Sequence, residues 1–111
     1  MINLLLILAL AVHIPYYGVK LTWSLPPGQC APGDQINPCY FKIQRSIHGL
    51  NRWDWIGTTK ANATSVLDSS AKLRTGGTWD YRLLTMWTPP GKTVPMISDP
   101  SNVFTVVVPT N

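Results

Sequence analysis

Eleven residues, Thr78 to Thr88, run without proline or glycine and place Trp79, Tyr81, Leu83, Thr85 and Trp87 at every second position. A period of two puts all five on one face of a β-strand, whereas helical geometry would spread them around the axis. The Gly76-Gly77 pair before the run and the Pro89-Pro90 pair after it mark its ends. Upstream, Val19, Leu21, Trp23 and Leu25 repeat the alternation. Strands that each carry one apolar face bury those faces against one another, so the two segments predict facing sheets.

Alternation and β-branched content place further strands at Tyr40 to Ser46, Trp53 to Thr59, Thr64 to Leu67 and Ser101 to Val108. The connections Pro26 to Pro38, Ile47 to Asn51, Ser69 to Gly77 and Pro89 to Pro100 are rich in residues that break strands. With 111 residues the chain has material for one core. It contains five Asp and no Glu, which fits an all-β reading because exposed helix positions favour Glu. Nine Lys and Arg give a formal charge of +4, but they are scattered singly with no run or stripe. A nucleic-acid partner, which needs a clustered basic surface, is therefore not expected.

Taken together, Leu73 to Leu83, Val19 to Trp23, Tyr40 to Arg45 and Ser101 to Pro109 resemble a fibronectin type III domain over residues 19–109. The resemblance implies an all-β, immunoglobulin-like two-sheet sandwich. It makes Trp23 the core tryptophan of the second strand and sends Phe41, Ile43, Trp79, Tyr81, Leu83, Phe104, Val106 and Val108 to the space between the sheets. The family's corner tyrosine, whose hydroxyl bonds backbone upstream, aligns with Trp79, or with Tyr81 if the register shifts by two. The family's first strand would fall at Leu8 to His13, inside an uncharged apolar segment.

That segment, residues 1–18, has two readings. Ile2 to Val12 has the length of a signal-peptide hydrophobic region and is too short to span a bilayer, although no basic residue precedes it. Cleaved, it implies secretion or surface display and leaves Val19 to Leu25 with an unpaired edge open to strand addition. Retained, it becomes the first strand or an anchor, the one case in which a membrane contact is expected. The unbroken run Leu4 to Leu10 does not alternate, which argues against an ordinary strand with one exposed face.

Cys30 and Cys39 lie nine positions apart in a Pro/Gly-rich segment able to double back on itself. In an exported chain they are expected to form a disulfide, worth about 2.5 to 3 kcal/mol by the chain-entropy estimate. Two cysteines without further ligands cannot complete a structural zinc site.

Catalysis finds no motif. His48 is the only histidine of the domain body, the Asp residues show no metal-loop spacing, and no nucleophile elbow or phosphate-binding loop occurs. No cofactor or metal is expected. The candidates are instead binding features: the two long connections, which the resemblance places at one pole of the sandwich; Trp53, Trp55 and Trp87 as a stacking platform, with Trp53 and Trp55 alternatively in the core; and Leu84 and Met86, with Val103 and Val107, as an apolar patch. Asn62-Ala63-Thr64 is an acceptor pattern for N-glycosylation. The expected function is a non-catalytic binding or adhesion module, secreted or surface-displayed, whose partner is a protein or a carbohydrate at a cell or virion surface. The competing expectation is a structural subunit of a virion or filament that self-assembles through its amino-terminal apolar segment.

Overall fold

The computed structural model describes residues 9–15, 17–24, 38–89 and 91–110. Among them eight strands occur: β1 (Ala9–Ile14), β2 (Gly18–Trp23), β3 (Tyr40–Ile47), β4 (Asp54–Thr58), β5 (Ser65–Asp68), β6 (Gly77–Trp87), β7 (Met96–Ile97) and β8 (Phe104–Val108). A single 3-10 turn, Ala71–Thr75, links β5 to β6. One sheet has the order β1-β2-β5; the other has β4-β3-β6, with both β7 and β8 pairing the far side of β6. All the pairings are antiparallel. This is the immunoglobulin-like two-sheet sandwich.

The alternation read from the sequence is the alternation of burial. Val19, Leu21 and Trp23 of β2, Phe41 and Ile43 of β3, Tyr81, Leu83 and Trp87 of β6, and Phe104, Val106 and Val108 of β8 form one buried cluster. Trp23 packs on Phe41 with ring centroids 5.3 Å apart, and Tyr81 stacks on Phe104 at 6.0 Å. Each such side chain taken fully out of water contributes about 1.5 to 3 kcal/mol. Trp79 is only half-buried at the margin of this cluster.

Part of the amino-terminal segment forms a strand. Ala9–Ile14 pairs with β2 along its length, from Ala9 opposite Trp23 to Ile14 opposite Gly18. Here the side chains do alternate, with Ala9 buried, Leu10 52% exposed and Val12 49% exposed. With β1 in place, the edge of β2 that cleavage would open is covered, and β2 is central in its sheet. Residues 1–8 lie outside the described residues, as do Cys30 and all but Pro38 of the connection Pro26 to Pro38. Gly18, which opens β2 at φ 126°, has no room for a side chain: a Cβ there would stand 2.1 Å from the Asp68 carbonyl oxygen.

Two irregularities shape the second sheet. Between Ile43 and Gln44 the β3–β4 register shifts, so that Gly57 faces Ile43 while Trp55 faces Gln44, and Ile56 is the extra residue of a bulge. The strand after the Pro89 to Pro100 connection is split, and five steps along β6, from Met86 to Tyr81, are matched by seven on its partner, from Ile97 to Phe104. Across the split, Ser98 and Ser101 donate backbone N–H to the carbonyls of Thr85 and Leu83, at 2.8 and 2.7 Å. Their hydroxyls accept in return from the Thr85 and Leu83 N–H groups, each at 2.9 Å. Side-chain oxygens stand in where Pro100 and the extra residues interrupt the ladder.

Candidate functional site

Alternation along β3 and β6 sends Lys42, Gln44, Arg82, Leu84 and Met86 to the outer face of the second sheet, opposite the core. The bulge in β4 brings Trp55 to the same face. Its ring lies under Lys42, with Nζ 4.5 Å from the centroid, and its indole Nε1–H donates to the Gly57 carbonyl at 2.8 Å. Trp53 is fixed in a similar way. Its Nε1–H donates to Asn51 Oδ1 at 2.7 Å, and the Arg82 guanidinium sits 4.3 Å over its ring. Arg82 is oriented by a 2.7 Å hydrogen bond from Nε to Gln44 Oε1 across the strand pair. Partial burial lowers its pKa from the ordinary guanidinium value, the direction expected for a cation drawn out of water; the ring beneath it offsets part of that cost.

The result is a face on which cations and indoles interleave. Trp55 is 61% exposed and Trp53 half-buried, and the N–H group of each is already engaged within the chain. Leu84 and Met86 extend the surface as half-buried apolar neighbours, and Tyr40 and Ile97 lie opposite Met86 on either side. Val103 and Val107 are exposed along the split strand. Trp87 does not belong to this face. It is 6% exposed and turned inward, so its inclusion in an exposed platform is corrected: β6 alternation assigns it to the side of Leu83 and Thr85.

A second polar constellation, not anticipated from the sequence, lies on the inner side of the same sheet. Asp68 of β5 reaches across the sandwich and accepts from Arg45 Nη1 at 2.7 Å and from the Tyr81 hydroxyl at 2.6 Å, both on Oδ2. Ser70 donates to Oδ1 through its N–H at 3.1 Å and its hydroxyl at 2.5 Å. The Arg45 guanidinium also lies 5.2 Å over the Trp79 ring. Burial alone would raise the Asp68 carboxyl, but the hydrogen bonds from Ser70, Tyr81 and Arg45, with the arginine charge, outweigh it and hold the group below the usual carboxylate range. Burial and the neighbouring carboxylate push the Tyr81 phenol well above its ordinary value. The cluster ties the two sheets together with charge.

The corner question divides between two residues. Trp79 donates from Nε1 to the Gly76 carbonyl, three residues upstream, at 3.3 Å. Tyr81 spends its hydroxyl on Asp68 instead. The backbone bond expected of a corner residue is therefore made by the tryptophan.

His48 has a partner that its sequence context did not reveal. Its Nδ1 is 2.8 Å from Asp80 Oδ1, and Asp80 also accepts from Thr105 Oγ1 at 2.7 Å and the Gly49 N–H at 3.3 Å. Burial would raise Asp80, but the bonds from His48, Thr105 and Gly49 lower it on balance. These contacts join the loop after β3 to β8. Among the described residues no group of three or more His, Cys, Asp or Glu is placed to hold a metal.

Cys39 is fully buried at the start of β3, and its expected partner Cys30 lies outside the described residues. Asn62 clasps the Cys39 backbone at both ends, donating from N to its carbonyl at 2.7 Å and accepting its N–H on Oδ1 at 2.8 Å. A left-handed φ of 53° at Asn62 makes that geometry available. The asparagine of the acceptor pattern thus already has a structural task.

No protein-family model matches the chain, and no curated protein matches it. The likeness is to solved structures. A structure of domains A168–A170 from titin aligns with a TM-score of 0.56 at 16% identity, over 90% of this chain and 30% of that one. A structure of titin kinase and its flanking domains aligns at 0.53 and 18% identity, over 86% of this chain and 15% of that one. The chain thus spans under a third of either. At such identity the likeness is one of fold, and it establishes the immunoglobulin-like sandwich.

Proposed function

We propose that the chain is a fibronectin type III-like binding module that recognises its partner through the outer face of β4, β3 and β6 and carries out no catalysis. The observation that carries the reading is the exposed Trp55 ring, pinned by its own N–H bond and flanked by Lys42 on the outer face of the sheet. Large apolar rings held rigid before binding lose little conformational entropy on association, which is what makes aromatic residues effective anchors. The three-strand and four-strand arrangement, with β7 and β8 as two halves of one interrupted strand, supports the family assignment. We also place the module outside the cell or on a surface, with a Cys30–Cys39 bridge stiffening the pole next to β3.

The test is binding of the folded domain to a panel of immobilised surface proteins and glycans, with Trp55→Ala and Trp53→Ala compared against the unmodified chain. The expected outcome is a binder lost in Trp55→Ala while thermal unfolding is nearly unchanged. A binder that both variants retain at full strength would remove the face from the reading.

The structural-subunit reading has its own observation. On the outer face of the first sheet Leu10, Val12 and Leu67 are each about half exposed around Lys20. Self-assembly through that face predicts a concentration-dependent increase in size on gel filtration that Val12→Lys abolishes.

A further inference from the structure

The chemistry of the outer face is specific enough to choose among partners. Lys42 lies opposite Leu84, and Arg82 opposite Gln44, in the β3–β6 register, so the two cations stand on a cross-strand diagonal. Such diagonals measure about 7 to 8 Å. Each cation is backed by an indole face, at 4.5 and 4.3 Å. Between them Gln44 commits its carbonyl oxygen to Arg82 and leaves its amide N–H groups, like the three donors of Lys42, without a partner among the described residues. The carboxylates nearest in the fold do not neutralise the diagonal. Asp80 is engaged by His48, Thr105 and Gly49, and Asp54 falls between the two tryptophans in sequence and so faces away from them.

Charge complementarity calls for an anionic occupant, and the face itself decides its class, because the backbone groups of β3 and β6 are already paired in the sheet and only side chains are presented. An extended acidic peptide laid on this face would bring backbone N–H and C=O groups against side chains that cannot pair them all, and buried unpaired amides are costly. A sugar chain brings C–H faces that lie flat on indoles, hydroxyls within reach of an amide, and acidic groups on its rim. We infer that the face formed by Trp53, Trp55, Lys42, Gln44 and Arg82 is a binding site for an acidic, sulfated or carboxylated oligosaccharide. The inference rests on the proposed use of this face and names what it holds.

Isothermal titration with a heparin hexasaccharide, its desulfated N-acetylated counterpart and hexaglutamate tests it. The expected result is saturable binding of the sulfated sugar, weaker by about tenfold in Trp55→Ala and in the Lys42→Gln/Arg82→Gln pair. Trp55→Phe should retain part of that loss, and Lys20→Gln/Lys72→Gln, which removes two charges elsewhere, should change affinity less than twofold. Loss in Lys20→Gln/Lys72→Gln equal to that in Lys42→Gln/Arg82→Gln, with Trp55→Ala unaffected, would reduce the interaction to net charge and overturn the site. Tighter binding of hexaglutamate, with the same dependence on Trp55, would overturn the sugar inference while leaving the face as a recognition surface. Absence of sulfated-sugar binding at millimolar concentration would likewise overturn the inference alone, since the panel with Trp53 and Trp55 replaced judges the face independently.

Discussion

Arginine meets tryptophan on both faces of one sheet. On the inner face Arg45 lies over Trp79 and is sealed between the sheets, 5% exposed, with Asp68 as its counter-ion; on the outer face Arg82 lies over Trp53 and Lys42 over Trp55, with no carboxylate among the described residues paired to either cation. The same residue types therefore do different work. Inside, the charge must be neutralised and its hydrogen bonds completed, because a lone ion out of water costs several kcal/mol. Outside, water and an aromatic face suffice, and the charge remains available to a partner.

The largest expected effect comes from breaking the inner set on one side only. Asp68→Ala leaves Arg45 charged and unpaired and removes the acceptor of Tyr81, so it should destabilise the domain by about 3 to 5 kcal/mol in a denaturant titration. The double variant Arg45→Met/Asp68→Leu should recover much of that loss, since a well-packed apolar pair can replace a buried ion pair. Should the double variant prove no more stable than Asp68→Ala, the cost would lie in packing and not in the stranded charge.

Acid should expose the same asymmetry. The native carboxyls of Asp68 and Asp80 lie below the ordinary value of 3.8. Their contribution is therefore fully present above about pH 4 and is lost as pH falls through the lowered native values. Tyr81 acts at the other end. Its raised native value means that its contribution is complete below its ordinary value of 10.0 and declines as pH rises beyond it. Unfolding midpoints measured across pH should thus fall at both extremes, and Tyr81→Phe should remove the alkaline branch.

A smaller effect sharpens the contrast between satisfied and unsatisfied polar groups. Among the described residues, the hydroxyl of Thr85, fully buried on β6, and the Nε1–H of Trp23 find no hydrogen-bond partner. Thr85→Val should therefore raise stability by about 1 kcal/mol, an unusual sign for a core substitution. The smallest effect belongs to the outer face: Trp55→Ala should change stability by no more than about 1 kcal/mol, measured by thermal unfolding, because that ring is mostly in water.

The strands were legible because each signal was local. Val19 to Trp23, Tyr40 to Ile47 and Gly77 to Trp87 carry their alternation in consecutive residues, and burial follows it. The short strand Met96–Ile97 was not legible, since it consists of two residues inside a proline-rich connection. Trp53 and Trp55 could be named but not placed, because a bulge at Ile56 determines the face on which the second falls. Arg45 was read as one more scattered cation and Asp68 as an isolated carboxylate; 23 residues separate them, and no spacing rule connects such a pair.

By itself the amino-acid sequence determined the period-two pattern, and with it the all-β class, the number of cores and the inward residues, because side chains on a strand can only alternate. Tertiary structure decided which polar residues meet. Whether a cation becomes a buried tie, as Arg45 does, or an exposed contact, as Lys42 and Arg82 do, depends on what the opposite sheet and the neighbouring strand bring within hydrogen-bond distance. Those partners are close in space and remote along the chain, and only the folded arrangement sets the dielectric around them.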